Sequence, residues 1–201
     1  MSDDLASVDP HVVRKGAKET GGDFVRFEST MHPALDADDG DVDLPYNRWG
    51  IDFTARHVHP KQKERIEVVS GELQVTLADE KRTLTKGDDV TIPANTPHRH
   101  WNATARPVRV VWERHPPFQT EEWVESVYAH AQAGKTDEEG TPGWLQQAVF
   151  VDAYPNESPY LTSIPVRLQK LLFSILAPVG RLVGAKATYS REEIGEQRDH
   201  R

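Results

Sequence analysis

Short runs of alternating apolar and polar residues dominate the chain from residue 48 to residue 114. The clearest run places apolar side chains at Trp49, Ile51, Phe53 and Ala55, which predicts a strand with one buried face. Gly71 lies in a segment (70–72) that has the composition of a hairpin turn. Further short strands are predicted at 24–27, 66–69, 73–77, 81–84, 90–92 and 108–112. Short strands at such close spacing are typical of an antiparallel sandwich or barrel.

Beyond Pro117 the spacing of the apolar residues becomes helical. A first helix is predicted over 118–133, with Thr120 as its N-cap because two glutamates follow it. A second helix is predicted over 144–154 and a third over 164–183. The third helix has a broad apolar face formed by Val166, Leu168, Leu171, Leu172, Ile175 and Leu176.

These elements predict how the chain is organised. Residues 33–46 contain many aspartates and no apolar period, which predicts a loop. The whole chain is predicted to contain four parts: a polar N-terminal arm (1–22), a β-barrel (23–117), a helical C-terminal extension (118–189) and a charged tail (190–201).

Composition narrows the classes of protein that remain. A net charge of -8 over 201 residues argues against binding nucleic acid or an anionic membrane. The sequence contains no cysteine, which excludes disulfides, thiolate zinc sites, iron–sulfur clusters and cysteine nucleophiles. Residues 1–10 lack the basic start and apolar run of a signal peptide, and the apolar run 171–179 is too short to span a bilayer. A cytoplasmic protein is therefore expected.

His57 and His59 are the first candidate metal ligands. They are two positions apart and so share one face of a strand. Glu64 starts the next predicted strand, and its carboxylate lies beside the two imidazoles if that strand pairs with the first. Ile66 then shares the face of Glu64, and His98 arrives from a third strand. Three imidazoles and one carboxylate suit iron, manganese, nickel, copper or zinc and leave positions for water or substrate.

The frame around these residues resembles the cupin superfamily over residues 50–102. Its two motifs are matched in order by His57, His59, Glu64 and Gly71 and then by Gly87, Pro93, His98 and Asn102. Two positions depart from the pattern. Gly50 lies one residue further from His57 than usual, and Asn95 replaces a glycine in a turn whose left-handed backbone Asn tolerates.

The resemblance implies an all-β fold, a cupin-type double-stranded β-helix (jelly-roll) barrel, with the C-terminal α-helices added to it. It also implies that one divalent metal ion binds to His57, His59, Glu64 and His98. The C-terminal segment resembles a tail found on many single-domain cupins. His100 competes with His98 for the fourth ligand position, and the motif spacing favours His98.

Other polar residues near the motifs are predicted to have structural roles. His100 and Trp101 are expected to pack in the barrel or to line its rim. Gln62 and Arg99 could meet a polar substrate, but solvated surface positions are expected for both.

The four ligand positions resemble those of cupins similar to quercetin dioxygenases. This resemblance implies a mononuclear, metal-dependent oxidoreductase that acts on a small organic molecule, with Glu64 as ligand or catalytic base. Two alternatives stay open: a metal-dependent isomerase, decarboxylase or lyase, and a non-enzymatic module that binds a small molecule or metal. Neither a nucleic acid nor a membrane is an expected partner. The third helix is expected to pack on the barrel or on a second subunit, and a homodimer is expected.

Overall fold

The computed structural model describes residues 11–31, 33, 55–136 and 141–189, which form two facing antiparallel sheets followed by helices. The strands are β1 (His11–Lys15), β2 (Val25–Met31), β3 (His57–Val58), β4 (Lys63–Ser70), β5 (Glu72–Leu77), β6 (Glu80–Thr85), β7 (Asp89–Ile92), β8 (His98–Trp101), β9 (Val108–His115) and β10 (Tyr160–Leu161). The helices are α1 (Thr120–Gln132), α2 (Trp144–Ala153) and α3 (Val166–Leu182). The predicted all-β jelly-roll barrel with added C-terminal helices is confirmed.

Each sheet has five strands, in the orders β1-β2-β9-β4-β7 and β10-β3-β8-β5-β6. Side chains alternate between the two faces of β4, and those of Glu64, Ile66 and Val68 point into the space between the sheets. Their spacing of two residues predicted this shared face. The neighbouring β9 pairs these residues with Arg114, Trp112 and Val110, respectively. The interior is therefore apolar around Val68 and becomes polar towards Glu64.

The turn at Gly71 joins the two sheets, so the predicted hairpin is wrong. β4 pairs with β7 and β9, whereas β5 pairs with β6 and β8. Gly71 has a φ of 90°, and a Cβ there would lie 2.9 Å from Val108 Cγ2. Turn composition marks the reversal of direction, but it does not specify which sheet receives the next strand.

Gln62 connects the barrel to the start of α1. Its side chain is buried, and Nε2 donates hydrogen bonds to Pro116 O and Thr120 Oγ1, both at 2.8 Å. The Thr120 hydroxyl donates to Pro117 O, and the residue at the N-cap position is Gln119, which makes no side-chain capping bond. The solvated position predicted for Gln62 and the capping role predicted for Thr120 are therefore wrong, because the two side chains bind each other.

Several predicted segments fall partly or wholly outside the described residues. These are the strand from Trp49 to Ala55 (except Ala55), the loop 33–46 (except Pro33) and the charged tail 190–201. β1 lies inside the segment for which the sequence predicts a polar arm, and it pairs with β2. β10 lies inside the predicted helical extension and pairs with β3, so a strand from this extension borders the barrel.

α3 packs on α2 through small residues and the partly buried Phe173 and Leu176, whereas most of its other large apolar side chains are exposed. Ala177 and Gly180 are buried, and a Cβ on Gly180 would lie 2.7 Å from Leu145 O. In the part of the chain that the structure describes, the barrel does not cover the apolar face, which exposes Leu168, Leu171, Leu172, Ile175, Val179 and Leu182. The homodimer stays a prediction. None of the described helices has the length and hydrophobicity needed to cross a membrane.

His130 makes the stability of the helical extension sensitive to pH. Its ring is buried against Phe150 and Tyr189, with centroid distances of 5.6 and 5.0 Å. Burial, with the nearby Lys135 charge, lowers the pKa of His130 to about 4. A histidine in the unfolded chain has a pKa of about 6.5. As the pH falls towards 4, the unfolded state therefore binds more protons than the folded state, and the free energy of unfolding decreases.

The His130→Gln variant is therefore expected to lose less stability than the wild type between pH 7 and pH 4. The difference amounts to as much as roughly 3 kcal/mol, on the order of the pKa shift multiplied by 1.36 kcal/mol. Urea unfolding of both proteins at several pH values measures it. Parallel pH profiles for the two proteins would show that His130 does not contribute.

Candidate metal centre

Three buried histidines meet at the polar end of the barrel interior. His57 and His98 pair directly across β3 and β8, and their ring centroids lie 4.2 Å apart. The ring of His59 lies 5.1 Å from that of His57 and 5.6 Å from that of His98. One ring nitrogen of each residue lies within 4.8 Å of the others, so this group could hold a metal ion.

Glu64 reaches the same point from the opposite sheet. Its Oε2 lies 3.8 Å from His59 Nε2 and 3.3 Å from His98 Nε2, and its side chain is buried. The expectation that β4 pairs with the strand of His57 is wrong, because β3 pairs with β8 and β10. Glu64 approaches His59 and His98 across the interior from a strand that does not neighbour theirs, whereas the group that could hold a metal contains the three histidines alone.

Backbone hydrogen bonds orient two of the imidazoles. Nδ1 of His57 lies 2.7 Å from Ala55 O, and Nδ1 of His98 lies 2.8 Å from Thr96 O. A carbonyl only accepts, so each Nδ1 carries the proton, and a neutral ring then presents its lone pair on Nε2. Such second contacts fix the orientation of histidine ligands in metal sites.

The turn before β8 also holds His59. The amide of Asn95 donates to His59 O at 2.8 Å, and Asn95 has a φ of 60°. The expectation that asparagine could replace glycine in this turn is confirmed, because Asn tolerates the left-handed conformation. The turn thus fixes the backbone of a predicted ligand.

The polar atoms at the centre fit a metal ion. Considering only the described residues, both ring nitrogens of His59, Nε2 of His98 and both Glu64 oxygens make no hydrogen bond. Buried polar atoms in native proteins almost always have a partner. Nitrogen and oxygen atoms directed at one point match the ligand preferences of a divalent transition metal.

The protonation states also suit metal binding. Burial, then the charge of neighbouring groups, lowers the pKa of His57 and His59 well below the usual range. Burial opposes ionisation of Glu64, but the Arg114 charge and His98 outweigh it and lower the pKa of Glu64 to about 2. Neutral imidazoles and an ionised carboxylate are the forms that bind metal, so little proton release is required at neutral pH.

Arg114 is the site residue that sequence reasoning missed. It lies opposite Glu64 on β9, its side chain is 7% exposed, and Nη2 is 3.2 Å from Glu64 Oε1. Val108, Val110 and Trp112 occupy alternate positions on the inward face of β9, and Arg114 is the next position on that face. That alternation was the available signal.

The remaining motif residues have structural roles. His100 is buried against Trp112, with ring centroids 4.7 Å apart, and lies outside the group formed by the three candidate ligands. Burial lowers the pKa of His100 to about 3. Asn102 donates to Met31 O and Arg106 O at 3.0 and 2.7 Å, and so ties the end of β8 to its surroundings. His100 therefore packs in the barrel, as expected.

One family model matches part of the chain. Residues 50–113 match the family model of the cupin domain Cupin_2. An uncharacterized protein of Methanocaldococcus jannaschii is 32% identical over 69 residues, which are 34% of this chain and 55% of the relative. The alignment thus spans about half the length of that relative.

Two solved structures are similar at a lower level. An uncharacterized Klebsiella pneumoniae protein with a double-stranded β-helix domain is 21% identical, with a TM-score of 0.38, over 56% of this chain and 82% of its own. The Cupin_2 domain of an XRE family transcriptional regulator from Enterobacter cloacae is 23% identical, with a TM-score of 0.37, over 54% and 99% of the two chains.

The family match contains the four residues that meet in the barrel interior, His57, His59, Glu64 and His98. It also spans the strands β3 to β8, which carry both motifs, and most of β9. On this evidence residues 50–113 of the chain are a cupin domain.

Proposed function

We propose that this cupin is a mononuclear metal-dependent oxidoreductase of the dioxygenase-like kind, acting on a small organic molecule. The observation that supports it is the meeting of three buried imidazoles with one buried carboxylate. His57, His59, Glu64 and His98 would hold the ion. This mixed nitrogen and oxygen set suits iron, manganese, nickel, copper or zinc, most of which are redox-active. A cytoplasmic location is part of the proposal.

The ion, when bound, would supply Lewis acidity and redox chemistry at its open positions. The chain's own residues prepare the site. Ala55 O and Thr96 O hold two imidazoles by Nδ1, and Arg114 keeps Glu64 ionised. Ile92, which pairs with Glu64 and is 1% exposed, helps to exclude water from that side.

Glu64 suits the role of ligand better than that of base. A general base is most effective when its pKa lies near the working pH. A pKa of about 2 makes the Glu64 carboxylate a poor proton acceptor at neutral pH. An ionised carboxylate is the form in which Glu64 would serve as a ligand.

Oxygen consumption tests the proposal. Protein loaded with iron or nickel is expected to take up dioxygen with at least one member of a panel of flavonols, enediols and diketones. Uptake should disappear in a His57→Ala/His98→Ala variant. Turnover of the same carbonyl substrates under anaerobic conditions, followed by proton-exchange NMR, would instead support the isomerase or lyase. Ligand-induced thermal shifts with fully metallated protein and no turnover would indicate a non-enzymatic binding module.

A further inference from the structure

β9 places three nitrogen donors of two side chains in the barrel interior that the proposed metal centre does not use. Trp112 and Arg114 are two positions apart on the inward face, and both are at most 6% exposed. Within the described part of the chain, Trp112 Nε1 and Arg114 Nε and Nη1 make no hydrogen bond. A buried donor without an acceptor is destabilising, so native proteins seldom keep one without a reason.

Arg114 lies beside the candidate ligand Glu64, and Trp112 lies beside His100. Arg114 Nη2 lies 3.2 Å from Glu64 Oε1, and Glu64 Oε2 lies 3.3 Å from His98 Nε2. The ring of Trp112 contacts that of His100 at 4.7 Å. An acceptor that reached Arg114 would therefore lie close to the Glu64 carboxylate.

Charge indicates which acceptor this is. Glu64 and Arg114 cancel each other, and the three imidazoles are neutral ligands, so a bound divalent ion would leave two uncompensated positive charges in a buried space. Burying unpaired charge is strongly unfavourable. A ligand that carries negative charge reduces this imbalance, whereas a neutral ligand does not.

We propose that Arg114 and Trp112 form an acid-binding subsite, and that the substrate is a small organic acid. Its carboxylate accepts a charge-assisted hydrogen bond from Arg114 Nη1, the kind of donor that carboxylates prefer. Trp112 Nε1–H, which can only donate, binds a further oxygen of the same molecule. The substrate class deepens the proposed function and rests on it, but the subsite consists only of residues of this chain.

Calorimetric titration with pyruvate tests the subsite, with methyl pyruvate as the uncharged control. Both are titrated into the protein with and without added manganese, and metal content is measured separately. Wild-type protein is expected to bind pyruvate and to bind the ester at least 10-fold more weakly. Arg114→Gln should weaken pyruvate binding by about 10- to 100-fold, the range for hydrogen bonds to charged groups. Trp112→Phe keeps the ring and should weaken it by roughly 3- to 10-fold.

Arg109→Gln is the matched control. Arg109 lies on the outward face of the same strand and pairs with Glu28, so its loss should leave pyruvate affinity unchanged. If Arg114→Gln does not fold, the subsite is tested by Trp112→Phe and by the comparison of pyruvate with its ester. Equal binding of acid and ester by the wild type would overturn the proposal, and so would unchanged pyruvate affinity in both variants.

Failure of the subsite and failure of the proposed function give different results. If the protein binds metal but both variants keep wild-type pyruvate affinity, the subsite is wrong and the proposed metal centre stands. If no metal binds but metal-free protein binds pyruvate through Arg114, the metal-dependent function is wrong and the subsite stands.

Discussion

The wild-type protein is expected to retain a metal ion through purification, and a His57→Ala/His98→Ala variant is expected to lose it. The two residues pair across β3 and β8, and their removal leaves His59 and Glu64 as the remaining candidate ligands. Altering an outer-shell partner alone weakens metal binding by about 10- to 100-fold, so removing two direct ligands should exceed 100-fold. Elemental analysis of protein purified without added metal measures the loss.

His100→Gln is the control for this experiment, since His100 is a neighbouring buried histidine outside the group. It should keep the metal content of the wild type. Wild-type metal content in the double variant would refute the site assignment. Loss of metal in His100→Gln would restore His100 as the fourth ligand in place of His98.

Gly71→Ala is expected to lower the free energy of unfolding by about 2–5 kcal/mol. A left-handed backbone costs an L-residue about 1–2 kcal/mol, and overpacking adds about 1–3 kcal/mol. Both apply at Gly71, whose φ is 90° and whose added Cβ would lie 2.9 Å from Val108 Cγ2 and 3.2 Å from Val108 Cα. The backbone atom limits relaxation, because β9 cannot move without disturbing its pairing with β4. Urea denaturation at neutral pH measures the change.

Gly87→Ala separates the two contributions. Gly87 has a φ of 92°, nearly the same as Gly71, but an added Cβ would meet nothing within 4 Å. This variant should therefore show the backbone contribution alone, about 1–2 kcal/mol. If both variants lose the same free energy of unfolding, contact with Val108 does not explain why glycine is needed at position 71.

Much of the architecture could be predicted because its signals are local. Alternation along 66–69 and 108–112 located β4 and β9, and helical spacing located α1, α2 and α3 to within a few residues. The same alternation placed Ile66 and Val68 on the face of Glu64, because side chains on a strand repeat every two residues. The motif spacing chose His98 over His100, and the structure groups His98 with the other two candidate ligands.

The errors share one cause, which is that local pattern does not specify the partner of a strand or helix. Alternation says which face is buried, but not which strand lies beside it or across from it. Gly71 was therefore assigned to a hairpin, and Glu64 to a strand paired with that of His57. Gln62 was assigned to the surface because its acceptors, Pro116 O and Thr120 Oγ1, lie more than fifty residues away.

The sequence by itself determined the chemistry of the centre, because His57, His59, Glu64 and His98 are fixed by residue type and by short spacings within each motif. Only the tertiary structure decided how they meet: two histidines by cross-strand pairing, and Glu64 by reaching across the interior from the facing sheet. It also added Arg114, whose pairing with Glu64 depends on the register of β9 against β4. Register between distant strands is set by the packing of the whole barrel, so no short stretch of sequence specifies it.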